Sequence, residues 1–192
     1  MDITNHHWIN QEHMRGAKFH CAYCDSEVGS NAGFSSRDVN GAPDYRVSVY
    51  LCPNCNQPTY HNGDDQVPPP SHGRNVQGLP IEVERLYAEA RKSVSAGAYT
   101  GTALLCRKLL MNIAASHGAD AGKTFQFYVD YLEANHFTPP KARDWLDHIR
   151  SKGNEATHEI PAITALDARE LIEFSQALLI FLYEFQERMR GK

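Results

Sequence analysis

The sequence predicts a mainly α fold, in which a bundle of about five helices follows a small N-terminal β unit. Three observations predict this fold. Four of the five cysteines fall in two C-x-x-C pairs, a connector rich in Pro and Gly follows them, and apolar residues recur with helical spacing after Pro80. We therefore expect the β unit within residues 1–65, a linker at 66–79 and the helical bundle at 80–192.

Composition and charge exclude several classes of protein. A chain of 192 residues with 42% apolar content can bury a sizeable core, and a formal net charge of -4 provides no global positive field for nucleic acid. The polar start, "MDITNHHWINQEHMRG", has no apolar run of signal-peptide length, and no later stretch approaches the roughly 20 apolar residues of a membrane span. We expect a cytoplasmic protein that does not enter a membrane.

The β unit is predicted from its cysteines. Cys21 and Cys24 lie in "FHCAYCD", and Cys52 and Cys55 lie in "YLCPNCN". A tetrahedral metal ion needs four soft ligands, and each C-x-x-C turn, or knuckle, offers two thiolates. Between the knuckles, "YRVSVYL" alternates apolar and polar residues, which predicts a strand leading into the second knuckle. This pattern is typical of a zinc ribbon.

Other interpretations of the cysteines are weaker. Two disulfides would require an oxidising compartment, which nothing in the sequence indicates. Iron in a rubredoxin-like site uses nearly the same spacing and stays open, although zinc is favoured for a structural four-cysteine site. Asp25 and Asn56 follow the two knuckles and are residue types that tolerate a positive φ. His20 and His61 flank the ribbon, and we interpret both as surface histidines or neighbours of the ligands.

The aromatic residues of the β unit suggest a binding surface. They could stack on nucleic-acid bases, but Arg37 and Arg46 are matched by Asp38 and Asp44 in the sequence. Because phosphate affinity needs an excess of cations, we favour packing against the helical unit or against a protein partner. The aromatic residues concerned are Phe19, Tyr23, Phe34, Tyr45, Tyr50 and Tyr60.

The helices follow from apolar periodicity and from stop signals. We expect a helix from Pro80 to Gly97, a second from about Thr100 to Gly118, a third near Lys123 to Asn135, a fourth beginning at the "TPP" signal, and a last from about Asp167 to Met189. Cys106 on the second helix is predicted to be a buried small apolar residue.

The last helix predicts self-association. It repeats Leu171, Leu178, Leu182 and Phe185 at helical spacing, and its middle, "ALLIFLYEF", is apolar nearly all round. This apolar circumference exceeds what a five-helix monomer easily covers. A homodimer would bury the surplus, so we expect one.

A second motif is "IRSKGNEATHEI", residues 149–160. Arg150, Asn154 and His158 are spaced four apart, so an unbroken helix would place them on one face. Gly153 sits among them and costs a helix interior roughly 0.5 to 1 kcal/mol relative to Ala. In the structural interpretation, Gly153 ends a helix, Asn154 caps the next turn, and His158 bonds to a backbone carbonyl.

The whole chain resembles the bacterial domain-of-unknown-function family four-one-four-five. The resemblance rests on the knuckles, the Pro-rich connector, "LPIEVERLYAEARKSVSAGAYTGTALLCRKLLMNIA", "IRSKGNEATHEI" and the terminal "LLIFLYEF". That family is similar to the HEPN superfamily of helical bundles, which are metal-independent ribonucleases or antiviral effectors and generally dimeric. The resemblance therefore implies a HEPN-like helical bundle.

The resemblance also implies candidate site residues. HEPN nucleases use an Arg, a polar residue directly after it, and a His four residues further on. Asn154 matches the polar position and His158 the histidine, but Gly153 stands at the arginine position. Since Gly cannot bind a scissile phosphate through a side chain, Arg150, one turn earlier, is the candidate replacement.

Three functions are compatible with these features. The first is a non-catalytic or degenerate effector that binds RNA, a nucleotide or a protein partner in bacterial defence or stress response. The alternative is a metal-independent endoribonuclease with His158 as general acid/base and with Arg107 or Lys108 of the second helix as phosphate ligands. A purely structural oligomerisation protein is the third. The missing arginine favours the first.

Overall fold

The computed structural model describes residues 8–139 and 163–190, and the chain forms two compact units that divide between Ser71 and His72. The N-terminal unit is a five-stranded antiparallel sheet in which each strand pairs with the next along the chain. The strands are β1 (Glu12–Cys21), β2 (Ser26–Arg37), β3 (Pro43–Leu51), β4 (Pro58–Asn62) and β5 (Asp65–Val67). Such a meander needs only short turns between its strands.

The sheet curls so that its last strand approaches its first. The Gln66 side chain in β5 donates a hydrogen bond of 2.8 Å to the backbone carbonyl of His20 in β1. The concave side encloses a small core of Met14, Phe19, Cys21, Tyr50 and Cys52. Two of these five residues are cysteines, so apolar burial alone offers this unit little stability.

The C-terminal unit is helical. Its helices are α1 (Ile81–Ser95), α2 (Tyr99–Ser116), α3 (Phe125–Ala134) and α4 (Ala165–Leu179), and α4 continues through a π-helical turn (Ile180–Glu184) into a final segment (Phe185–Arg190). Thr164 caps α4 in a reciprocal capping box with Asp167. Gly97, at φ 75°, follows the end of α1 as expected.

The core of the helical unit is large and apolar. Leu109, Ile113, Leu132 and Leu178 are fully buried where α2, α3 and α4 contribute to it. Cys106 is also fully buried, and burial raises the pKa of its thiol to about 11. The prediction that Cys106 is a buried apolar residue is confirmed.

The segment that leads into α1 is held against the helices by polar contacts. The Arg91 guanidinium, itself 3% exposed, donates to the carbonyls of His72 and Gly73 and to the Asn75 side chain. The backbone N–H of Arg74 donates to the Gln176 side chain at 2.7 Å. The start of the helical unit is therefore fixed to both α1 and α4.

The π-helical turn changes which side of the last helix is buried. The apolar repeat of the last helix includes Phe185, but 59% of this residue is exposed, whereas Glu184 is 2% exposed. A π turn inserts one extra residue into the helical repeat, so the residues after it rotate relative to the preceding apolar stripe. The Glu184 carboxylate accepts hydrogen bonds from Arg74 at 2.9 Å and Arg188 at 2.6 Å.

The prediction of a mainly α bundle of about five helices with a small β ribbon was wrong. Strands account for about a quarter of the described residues, which contain a five-stranded sheet and four helices. Only β3 was predicted, because "YRVSVYL" alternates, whereas β1 and β2 are rich in Gly, Ser and charged residues. The predicted helix at "TPP" lies outside the described residues. No helix within the described ranges is long and apolar enough to span a bilayer.

Candidate metal centre

Two tight turns bring the cysteines together. In the first knuckle, the backbone N–H of Asp25 donates to the Cys21 carbonyl at 2.8 Å, and in the second, the N–H of Asn56 donates to the Cys52 carbonyl at 2.8 Å. Asp25 and Asn56 have φ values of 56° and 58°. Both residues therefore adopt the left-handed conformation that closes each knuckle, as predicted.

The four sulfur atoms are spaced like the ligands of one metal ion. All four Sγ atoms lie within 4.8 Å of one another, with 3.6 Å between Cys21 and Cys55 and 3.7 Å between Cys24 and Cys52. A tetrahedral ion with bonds of about 2.3 Å would separate its sulfur ligands by roughly 3.8 Å. The cysteines are free thiols, so the donor set fits a metal ion such as zinc.

The thiols differ in how readily they ionise. Burial raises the pKa of Cys21 and that of Cys55. Burial also acts to raise the pKa of Cys24, but hydrogen bonds with Asn54 and Ser26 outweigh it and lower that pKa to about 6. These hydrogen bonds favour the thiolate form of Cys24, which is the form that binds metal ions.

The two flanking histidines are not part of the sulfur cluster. His20 bonds through Nε2 to the Asp25 carboxylate at 2.8 Å, which supports the first knuckle. His61 lies between the rings of Phe19 and Tyr50, at centroid distances of 5.2 and 5.5 Å. Burial lowers the pKa of His61, so its imidazole is neutral near pH 7.

All four positions around such an ion would be taken by protein. A closed four-thiolate set leaves no site for water or substrate, so it suits a structural metal rather than a catalytic one. Its chemical effect is to join the end of β1 to the end of β3. Zinc and iron both accept four thiolates.

The predicted phosphate ligands lie on α2. The Arg107 guanidinium stands 4.6 Å from the centre of the Phe125 ring, a cation–π contact that holds it against the helical core. Lys108 is exposed. The other candidates of the motif, Arg150, Asn154 and His158, lie outside the described residues, so their proposed chemistry stays a prediction.

A row of apolar side chains crosses the convex face of the sheet. Phe34 pairs with Val49, Val49 with Tyr60, and Tyr60 with Val67, so one residue from each of four adjacent strands points to the same side. We call these four residues the outer row. The Trp8 ring packs edge-on against Phe34, with the ring centroids 6.0 Å apart.

The outer row is accessible. Tyr60 is 40% exposed and Val67 is 55% exposed, while Phe34 and Val49 are half-buried. Adjacent strands are about 4.8 Å apart, so the row extends roughly 15 Å across the sheet. The alternation in "YRVSVYL" predicted that Val49 lies on the apolar face and Tyr50 on the polar face of the strand, but Tyr50 is 4% exposed and belongs to the core. The alternation gave no register, so the row itself could not be predicted.

Comparison with known proteins identifies the helical part of the chain. Residues 88–191 match a family model described as "Domain of unknown function (DUF4145)". The match covers more than half of the 192 residues and begins within α1, so the sheet lies outside it. Neither the curated proteins nor the solved structures compared with the chain gave a match.

Proposed function

Because the chain belongs to the DUF4145 family, whose description assigns no activity, we propose a function from its own surfaces. In this proposal the protein is a non-catalytic binding protein. A structural zinc ion stabilises the N-terminal sheet, and the outer row of that sheet binds a protein partner. The outer row is the observation that carries this proposal. Exposed apolar residues of this extent on a metal-stabilised sheet are typical of interaction surfaces.

Zinc is favoured over iron because the proposed role of the site is structural and needs no redox chemistry. Structural sites of this kind usually hold zinc, which has no redox chemistry and accepts tetrahedral sulfur ligands. Cys21, Cys24, Cys52 and Cys55 would hold the ion. Zinc would supply a cross-link between the two knuckles, and the partner would bind elsewhere, on the outer row.

Charge supports a protein partner over RNA. Residues 8–71 contain four Lys and Arg against seven Asp and Glu, a formal charge of -3. Arg46 is paired with Asp44 at 2.7 Å, and Arg37 lies 3.8 Å from Glu12. Phosphate binding depends on an excess of available cations, and this unit lacks one.

Two acidic residues without ion-pair partners indicate the charge that the protein partner should carry. Asp64 and Asp65 lie at the β4–β5 turn, and among the described residues neither has an ion-pair partner. In the same hairpin, Asn62 and Asp65 form the next pair on the face that carries Tyr60 and Val67, two positions along each strand. A partner segment with apolar residues and a nearby Lys or Arg would complement both features.

The ribonuclease remains the second candidate function. Its support is the sequence pattern of Asn154 and His158, with Arg150 one turn earlier, and no described residue adds to it. It would yield products ending in 2′,3′-cyclic phosphate in the presence of EDTA, and His158→Ala would abolish the cleavage. A role in defence or stress response likewise rests on the resemblance alone.

A photo-crosslinking experiment tests the proposed binding surface. A photoreactive amino acid at Tyr60 is expected to give a discrete adduct in cells that protease removes and nuclease does not. The same amino acid at Tyr23, which is 52% exposed but outside the outer row, is the matched control. Val67→Asp in the Tyr60-labelled chain should abolish the adduct.

Three results would contradict the proposal. A nuclease-sensitive adduct at Tyr60, or salt-sensitive binding of a labelled single-stranded RNA by the purified chain, would identify the row as an RNA site. A cross-link from Tyr60 to a peptide of the same chain would show that the row packs internally. Equal adducts at Tyr60 and Tyr23 would show contact without specificity.

A further inference from the structure

Asn54 connects the two knuckles. It lies between Cys52 and Cys55 in the second knuckle, and its side-chain amide donates to the Sγ of Cys24 in the first knuckle at 3.4 Å. The same amide nitrogen lies 3.3 Å from the Ser26 hydroxyl, which in turn donates to the Cys24 carbonyl at 3.3 Å. One exposed side chain therefore contacts the opposite knuckle at both a ligand atom and the turn behind it.

The sulfur that Asn54 contacts is one of the two more accessible ligands. Cys21 and Cys52 are 0% and 1% exposed, whereas Cys24 and Cys55 are only half-buried. A metal ion usually leaves a four-thiolate site after one thiolate is protonated or displaced, and the accessible ligands are open to that attack. A hydrogen-bond donor to the Cys24 sulfur therefore stabilises a ligand at which release of the metal ion can begin.

Charge makes this donor more important. Four thiolates around a divalent ion carry a net charge of about -2, and hydrogen bonds to the sulfurs are the usual means of stabilising it. The acidic excess of residues 8–71 offers no compensation.

We infer that Asn54 is a positioning residue of the metal centre: its amide holds the Cys24 thiolate in place, joins the two knuckles and sets how slowly the metal ion leaves. This inference rests on the proposed metal function of the four cysteines. It assigns a role to a side chain that the C-x-x-C pattern leaves unspecified.

The rate of zinc release tests the inference. The zinc-loaded full chain is mixed with an excess of a chromogenic chelator, and the rate is compared with those of Asn54→Asp and Asn54→Ala. Contacts to metal ligands typically contribute about 10- to 100-fold in metal affinity. We expect release at least about 10-fold faster for Asn54→Asp, which replaces the donor by an acceptor, and several-fold faster for Asn54→Ala.

Tyr23→Ala is the matched control. Tyr23 occupies the same place in the first knuckle as Asn54 in the second, and it is 52% exposed. Its variant should release zinc within about twofold of the wild-type rate, since no donor to sulfur is lost. Far-UV circular dichroism of the loaded variants checks that each is folded. A Tyr23→Ala rate equal to that of Asn54→Ala would overturn the inference.

Cobalt substitution tests the metal centre separately from the role of Asn54. The wild-type chain loaded with cobalt(II) should show the visible and charge-transfer bands of a tetrahedral four-thiolate site, and the charge-transfer band should shift in Asn54→Ala. A wild-type chain without these bands would refute the metal centre itself. Normal bands with unchanged zinc release in both Asn54 variants would refute only the role of Asn54.

Discussion

Thr59 in β4 carries a buried hydroxyl group that makes no hydrogen bond within the described residues. The residue as a whole is fully buried. An unsatisfied buried hydroxyl costs about 1–3 kcal/mol of desolvation. Thr102 in α2 is equally buried, but its hydroxyl donates to the Ala98 carbonyl at 3.2 Å. The two threonines are therefore equally buried, but only the Thr102 hydroxyl makes a hydrogen bond.

Thr59→Val should therefore stabilise the sheet. Valine has nearly the same shape, favours strands, and removes the unpaired hydroxyl, so we expect a gain of about 1 kcal/mol in the free energy of unfolding. Thr102→Val should give no gain, because it removes a satisfied hydrogen bond. Denaturant unfolding of the metal-loaded chain measures both. A loss of stability in Thr59→Val would mean that its hydroxyl has a partner.

At the scale of elements, the π-helical turn is the main departure from a regular pattern. It places Glu184 inside, where the carboxylate contacts Arg74 and Arg188 and accepts a bond from the Gln77 backbone N–H at 3.3 Å. A buried carboxylate is stable only when it is paired in this way. The turn therefore connects the last helix to the segment that precedes α1.

Glu184→Ala should destabilise the helical unit by about 2 kcal/mol, because it removes a buried acceptor and leaves its cations unpaired. The half-exposed Arg74 keeps the effect below that of a fully buried pair. Glu173→Ala, on the same helix but with a 58% exposed side chain paired to His72, is the control and should change stability by less than about 0.5 kcal/mol. Thermal or denaturant unfolding followed by helical circular dichroism measures both.

The same contact predicts a pH dependence. The hydrogen bond from Arg74 lowers the pKa of Glu184 below that of a free glutamate, about 4.3. A lowered folded-state pKa stabilises the fold above the unfolded pKa, and this contribution is lost as the pH falls through the folded value. The stability difference between wild type and Glu184→Gln should therefore be full near pH 7 and shrink below about pH 4. A difference that is constant from pH 7 to pH 3 would contradict this account.

The elements also show what sequence reasoning could reach. The helices α1 to α4 were predictable because long apolar periodicity and stop signals are local, and the cysteine cluster was predictable because C-x-x-C spacing is local. β2, "SEVGSNAGFSSR", has no alternating pattern, and Gly33 is there because a Cβ would clash with the Val49 carbonyl. Register between strands and the π-helical turn depend on contacts distant in sequence, so the outer row and the orientation of Phe185 were not predictable.

For the molecule as a whole, the two units differ in what stabilises them. The sheet has a core of five buried residues, two of which are metal-ligand candidates, whereas the helical unit has a continuous apolar core drawn from all four helices. With the proposed metal ion bound at the four cysteines, metal binding would supply a large part of the folding free energy of the sheet and little of that of the helices. The family match begins at residue 88, within α1, and leaves the sheet outside it, which agrees with units that are distinct in sequence.

Metal removal should therefore unfold one unit selectively. We expect a strong chelator to abolish hydrogen-exchange protection in β1 to β4 of the full chain while α1, α2 and α3 stay protected. The measurement is peptide-resolved hydrogen exchange before and after chelation, with Cys52→Ser as a metal-free counterpart. Equal loss of protection in both units would show that they fold as one, and unchanged strands would show that the metal is dispensable.

The outward rotation of Phe185 bears on self-association. Phe181, Phe185 and Met189 are spaced four residues apart and are 39%, 59% and 62% exposed, so they form an apolar strip along the end of the last helix. We propose that two copies of the chain pair through this strip, which would bury it on both protomers at once, as a two-fold interface does.

Phe185→Glu should consequently convert a homodimer into a monomer. A charge at the centre of a self-complementary strip is met by the same charge on the partner, and both lose water, so the expected loss is at least about 100-fold in dimer affinity. Leu104→Glu, at a 58% exposed position on α2, places the same charge outside the strip and should leave the dimer intact. Sedimentation velocity at micromolar concentration distinguishes the species. A wild-type chain that sediments as a monomer would refute the pairing, and a Leu104→Glu monomer would move the interface from the last helix to α2.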